Sequence, residues 1–167
     1  ERQAGEREGQ APAWIGHERD PMRRWHDPAM ADWEGIADAD AALGREFPLP
    51  AAALPLARWV DVVPMGAGAE VAWNLDDTRA GAPARLALYA GATPPPAREL
   101  PGAGQPEDLV VGPAAATLRT APLEQAEPSL RPVAELAWQA GGLYLRLTAQ
   151  GSWTRERLVE IAASIAV

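Results

Sequence analysis

The sequence predicts an α+β fold: an antiparallel sheet of about six or seven strands, with an N-terminal helix and a C-terminal amphipathic helix packed on one face. Three observations predict it. From Arg58 to Thr148 the apolar residues recur with a period of two, the signature of half-buried strands. No helical stretch interrupts those strands, which excludes a doubly wound parallel sheet. The final segment, SWTRERLVEIAASIAV, instead carries Leu158, Ile161, Ala162 and Ile165 as one stripe at helical spacing.

The elements follow in order. Residues 1–27 are polar and charged, with Trp14, Ile15 and Trp25 among Glu, Arg, Asp and Gly, and show neither period. They read as an arm, ordered where its Trp side chains dock, since each Trp buries on the order of 200 Å². Residues 28–167 read as one α+β domain. Asp27-Pro28 is a helix start, an Asp cap before Pro at the first helical position. Met30, Trp33, Ile36, Ala37 and Leu43 follow at helical spacing, Gly35 weakens the middle, and Gly44 suits the end. The Pro residues of REFPLPAAALPLARW then force extended chain.

RWVDVV sets Trp59, Asp61 and Val63 on one face and Val60 and Val62 on the other. AEVAWNL alternates Val71, Trp73 and Leu75 against Ala72 and Asn74; ARLALYA alternates Leu86 and Leu88 against Ala87 and Tyr89. The Pro-rich residues 93–106 read as a long surface loop. DLVVG and ATLRTA are weaker strands. VAELAWQAGGLYLRLT is the clearest hairpin, with Leu136 and Trp138 before a Gly141-Gly142 turn and Leu143, Leu145 and Leu147 after it. Thr154 is placed to cap the last helix.

Composition sets the limits on function. The chain has 167 residues, 36 of them Ala, with 15 Gly, 17 Pro and a net charge of −8. All 15 basic residues are Arg, an Ala, Gly, Pro and Arg excess that reads as GC-rich coding bias. An acidic chain has no basic surface for phosphates, so nucleic acid is excluded as a partner. With no Cys there is no disulfide, no thiolate metal site and no Cys nucleophile. The apolar runs fall far short of the ~20 residues that cross a bilayer.

The candidate chemical motifs fail one by one. Gly66-Ala67-Gly68 has Val71 where a dinucleotide fingerprint needs its third Gly, and a strand rather than a helix follows. Asp38-x-Asp40 lacks the remaining calcium ligands and the loop Gly. None of Ser129, Ser152 and Ser164 sits in a nucleophile elbow. His17 and His26, with Glu18, Asp20 and Asp27 nearby, carry the one enzymatic alternative, a hydrolase or metal enzyme, but their spacing fits no ligand pattern. The reading is therefore no enzyme: no catalytic residue, no metal and no cofactor. Seven Trp against one Phe and two Tyr is the one unusual abundance. Trp73 and Trp138 lie inside alternating strands and read as core, as does Trp59. Trp14, Trp25, Trp33 and Trp153 remain as the candidate interaction surface.

LAWQAGGLYLRLTAQGSWTRERLVEIAASI runs as a Trp, a tight turn, a Tyr within a strand, a polar loop and a short helix ending in small residues. This resembles the ending of a bacterial domain family of unknown biochemical function. That family occurs in extracytoplasmic regions of anti-sigma-factor-like membrane proteins and in envelope lipoproteins. ADADAALGREFPLPAAALP is similar to that family's helix and Pro-containing lead into the first strand, and RLALYAG to its central strand. The resemblance spans residues 36–166 in layout and carries no catalytic site. It implies a non-enzymatic sensory or interaction domain in the cell envelope, binding a protein or small-molecule ligand. Opening on Glu1 rather than Met suits a fragment cut after an anchor, hence a membrane tether in the full-length protein. The alternative is a soluble cytoplasmic structural or assembly protein, a homo-oligomer whose N-terminal arm docks on a neighbouring subunit.

Overall fold

Seven antiparallel strands form one sheet in the order β1-β2-β3-β7-β6-β5-β4. They are β1 (Trp59–Pro64), β2 (Gly68–Asn74), β3 (Pro83–Gly91), β4 (Glu107–Val111), β5 (Ala114–Thr120), β6 (Pro132–Ala140) and β7 (Leu143–Gly151). Helix α1 (Trp33–Leu43) precedes them and helix α2 (Arg155–Ala163) follows. The computed structural model describes residues 33–75, 82–122 and 132–167. The arm at 1–27 and the Asp27-Pro28 helix start lie outside these residues.

The topology is two meanders joined at their inner strands. One runs β1-β2-β3; the other starts at the far edge and returns as β4-β5-β6-β7, so that β7 zips onto β3. The register of these pairs aligns one apolar row across the sheet, from Val62 through Val71, Leu88, Leu147 and Leu136 to Leu118. A second row runs Val60, Trp73, Leu86, Ala149 and Ala134. Period-two patterning puts all of these on one face. Ile36, Ala39, Phe47, Leu158, Ile161, Ala162 and Ile165 close over it to make the core. Each of the large aliphatic side chains buried here contributes about 1.5–3 kcal/mol.

The helices reach this face by local chemistry the sequence announces. Thr154 is extended and its hydroxyl accepts from the Arg157 N–H, capping α2. Gly44 ends α1 at φ 71°, and its N–H donates to the Asp40 carbonyl. The Asp40 carboxylate accepts from the Phe47 N–H and turns the chain inward, where Phe47 is buried. The extended residues that follow join α1 to the end of α2: Pro50 bridges Ile165, and Ala51 and Ala52 donate to the Ser164 carbonyl and hydroxyl. In α1 the buried positions are Ile36 and Ala39, whereas Ala37 is exposed. The expected Ile36 and Leu43 do pack on the core, joined by Ala39 and Ala42, and Ala37 alone of the described expected positions faces outward.

Trp59 departs from the expected core role. Strand β1 is the last of the sheet on its side, and Trp59 points to the face away from the helices, 46% exposed.

The β6–β7 hairpin turns at Gly141 and Gly142, with φ of 56° and 78°. Two consecutive positive φ values define the mirror-image turn that matches strand twist, and L side chains resist them. A Cβ on Gly141 would also lie 2.9 Å from Cβ of Val167. Gly141→Ala should therefore lower stability by about 1–2 kcal/mol, read as a shifted denaturant midpoint with an unchanged slope.

Candidate functional site

Among the described residues no helix covers the sheet's second face, and its polar residues should by the alternation be solvated. Those at its centre, Glu70, Glu135, Arg146 and Thr148, are instead buried, and the topology explains why. The chain leaves β3 near the centre and must restart at β4 on the far edge, four strand spacings or about 19 Å away. Residues 92–106 make this crossing over the second face, and a 15-residue extended segment reaches roughly 50 Å, more than enough. The expected surface loop is thus a strap, and its Leu100 is buried. Pro94, Pro95 and Pro96 keep its backbone extended and remove N–H groups that would otherwise need partners.

Under the strap, two polar rows meet. One runs Glu70, Tyr89, Arg146 and Ala137 across β2, β3, β7 and β6. The next runs Ala72, Ala87, Thr148, Glu135 and Arg119. Glu70, Arg146 and Thr148 are at most 4% exposed and Glu135 is 9% exposed. The strap ties directly to them. Arg98 Nη2 donates to both Glu70 oxygens at 2.7 and 2.8 Å. Arg146 Nη1 donates to the Pro96 carbonyl at 2.6 Å, and the Tyr89 hydroxyl donates to the Thr93 carbonyl.

Arg146 is the centre of the cluster. Its Nη2 is 3.7 Å from Glu70 Oε2 and its Nη1 is 3.8 Å from Glu135 Oε2. Its guanidinium carbon sits 5.9 Å from the Tyr89 ring centroid, a cation–π distance. Burial, and after it the neighbouring Arg98 charge, pushes the Arg146 guanidinium below the ordinary arginine value; Glu135, Glu70 and Tyr89 pull it back up. An arginine keeps its proton regardless, so the charge is buried as a charge and its carboxylate partners are what make that tolerable. At the rim, Arg119 Nη1 is 3.4 Å from Glu135 Oε1 and Arg85 Nη2 is 3.9 Å from Glu70 Oε1. Arg85 Nε also donates to Asn74, whose amide donates to Asp61.

The cluster does not use all its hydrogen-bonding capacity. Arg146 Nε and Nη2, Thr148 Oγ1 and Glu135 Oε2 are buried and have no hydrogen-bond partner in the protein. Buried polar groups are nearly always paired, so four such atoms on adjacent residues are unusual. Chemically the set can bind and orient a polar group. It offers three N–H bonds, a hydroxyl and a carboxylate oxygen.

Of the four Trp residues expected to form the interaction surface, Trp14 and Trp25 lie outside the described residues, as do His17 and His26. Trp33 opens α1. Trp153 is half-buried against the core, with its indole N–H donating to the Gln150 carbonyl. It lines a cavity of about 170 Å³ on the helical face with Thr120, Arg155 and Leu158. The Arg155 guanidinium there is already engaged by Glu107. Among the described residues no group of three or more His, Asp and Glu side chains is placed to hold a metal ion. No helix among them is long and apolar enough to cross a membrane.

The sequence reading missed Glu70, Arg98, Glu135, Arg146 and Thr148. A signal was present: GAEVAW, VAELAW and LYLRLT each place one charge mid-strand between apolar neighbours. No protein-family model matches the chain, and neither does any curated protein or solved structure.

Proposed function

We propose that this chain is a non-enzymatic sensory or interaction domain of a cell-envelope regulatory protein, and that the strapped face of its sheet is where it binds. The observation that carries the reading is the unused hydrogen-bonding capacity of Arg146, Thr148 and Glu135 beneath residues 92–106. A centre built only for stability would pair these atoms or replace them with apolar side chains. The envelope assignment is supported by the resemblance of residues 136–165 to an extracytoplasmic domain family.

Site-specific photo-crosslinking in cells tests the reading. A crosslinker at Arg85 or Arg119, on the rim of the face, should capture a defined partner or ligand from the envelope fraction. One at Glu156, on the outer surface of α2, should not. Equal labelling from both positions, or a full-length protein held in the cytoplasm, would overturn it.

The assembly alternative draws on a different observation. Leu56, Trp59 and Val63 are 58%, 46% and 49% exposed along or beside β1. A strand edge with exposed apolar side chains supports chain-to-chain pairing. Light scattering decides this reading: it requires a dimer or larger species that dissociates on Trp59→Ser.

A further inference from the structure

We infer that the strapped centre is a binding site for a small carboxylate that carries a hydrogen-bond donor beside its carboxyl group, as an α-hydroxy acid does. The inference rests on the proposal that this face binds, and adds the chemistry of what is bound.

The charge balance comes first. The chain as a whole is −8. On the strapped face, however, Arg85, Arg98, Arg119 and Arg146 converge on two carboxylates, Glu70 and Glu135. With Asp61, joined to Arg85 through Asn74 on the same face, as a third carboxylate, the network of an acidic protein still carries a local excess of one positive charge in a largely buried place. Such a place favours an anion, and more strongly than a solvated surface would.

The geometry of the unused atoms narrows the anion. Nε and Nη2 form one edge of the guanidinium, the edge that grips a carboxylate through two parallel hydrogen bonds. In Arg146 both atoms are without a hydrogen-bond partner, while Nη1 is committed to Pro96. The side chain is therefore held by the strap with that edge free of hydrogen bonds, its Nη2 facing Glu70 Oε2 at 3.7 Å. Tyr89 lies against the guanidinium and limits its freedom to swing away.

The third and fourth atoms supply the rest. Glu135 pairs directly with Thr148 across β6 and β7, and Thr148 is two residues along the same face from Arg146. Glu135 Oε2 is an acceptor and needs a donor; it is 3.8 Å from Nη1 of Arg146. A plain carboxylate satisfies the guanidinium edge but leaves this oxygen unmet and repels it. A carboxylate with an adjacent hydroxyl satisfies both, with the Thr148 hydroxyl between them free to donate or accept. The row beside them is floored by Ala72 and Ala87, the smallest side chains that keep a strand. The rim is open at Arg85, Arg98 and Arg119, whose side chains are 22%, 28% and 35% exposed.

The experiment is a titration of the full chain, labelled with ¹⁵N, followed on the Arg146 Nε–Hε signal assigned through bonds. Lactate, acetate, phosphate and sodium chloride are the probes, at matched ionic strength. The expected result is a saturable shift with lactate, about tenfold tighter than with acetate, the size of one charge-assisted hydrogen bond. Glu135→Gln should bring lactate down towards acetate. Thr148→Val, which keeps the side-chain shape, should weaken lactate with little loss of stability. A signal that moves no more with lactate than with sodium chloride overturns the inference, as does lactate binding no tighter than acetate, or phosphate binding tighter than both. If crosslinking from the Arg85 and Arg119 positions stays specific while lactate has no effect, the face binds something else and only the ligand class falls. If crosslinking also fails, the binding face itself is wrong.

Discussion

Leu147→Ala is expected to lower the stability of the protein by about 3 kcal/mol, within the range for truncating a fully buried Leu. Leu147 is 1% exposed and lies in the centre of the sheet, between Leu88 on β3 and Leu136 on β6. Those neighbours belong to two different meanders, and both stand in fixed register, so neither can slide in to fill the space. The loss is thus the transfer term plus most of the cavity term. For a domain of this size it corresponds to a fall of roughly 6–12 °C in Tm. Urea titration followed by Trp fluorescence measures it directly. Val110→Ala is the matched control: Val110 is 63% exposed on edge strand β4, so its change should stay within about 0.5 kcal/mol. Equal effects at the two positions would mean that the core does not lie between the sheet and the helices.

Glu70→Ala should do comparable or greater damage, about 3–5 kcal/mol, for the opposite reason. It removes no apolar packing. It strips the carboxylate that Arg98 donates to and that faces Arg146 at 3.7 Å, leaving a guanidinium buried with only Glu135 beside it. Arg98→Ala should cost much less. Arg98 is on the partly exposed strap, and Glu70 then still faces Arg146 and Arg85. The double variant isolates the pair: if the ion pair pins the strap, the two losses will not add. Simple additivity of the two changes would show that Arg98 and Glu70 act independently.

Much of the fold is legible in the chain. All seven strands fall on segments read as strands, although DLVVG shows no clean alternation, and the Gly141-Gly142 turn and the Thr154 cap are where local backbone rules put them. These are short-range features, decided by residues within a few positions of one another. The second face was not legible for the same reason. Glu70, Glu135 and Arg146 read as solvent-facing because alternation alone says so. Their burial depends on β3 being followed by an edge strand, which pulls residues 92–106 across them. Nothing local to GAEVAW or LYLRLT encodes where β4 will go. Trp59 fails likewise: its side chain would suit a core, but β1 is an edge strand and Trp59 lies on the face away from the helices, 46% exposed. The four Trp residues drew attention through composition, whereas the polar centre is made of Arg, Glu and Thr, common residues whose placement alone is unusual.

The union of β3 with β7 has a consequence for how the protein is made. The first meander is complete by Gly91, yet the strand that covers its inner edge is residues 143–151. During synthesis at about 5–20 residues per second, β3 therefore waits several seconds with a row of unpaired backbone groups and apolar Leu86, Leu88 and Ala90 alongside. A strand that lies inside the finished sheet is, for that interval, an open edge. Ribosome-bound chains ending near residue 125 should be the most aggregation-prone and the best clients for a holding chaperone. The need should vanish once α2 has emerged.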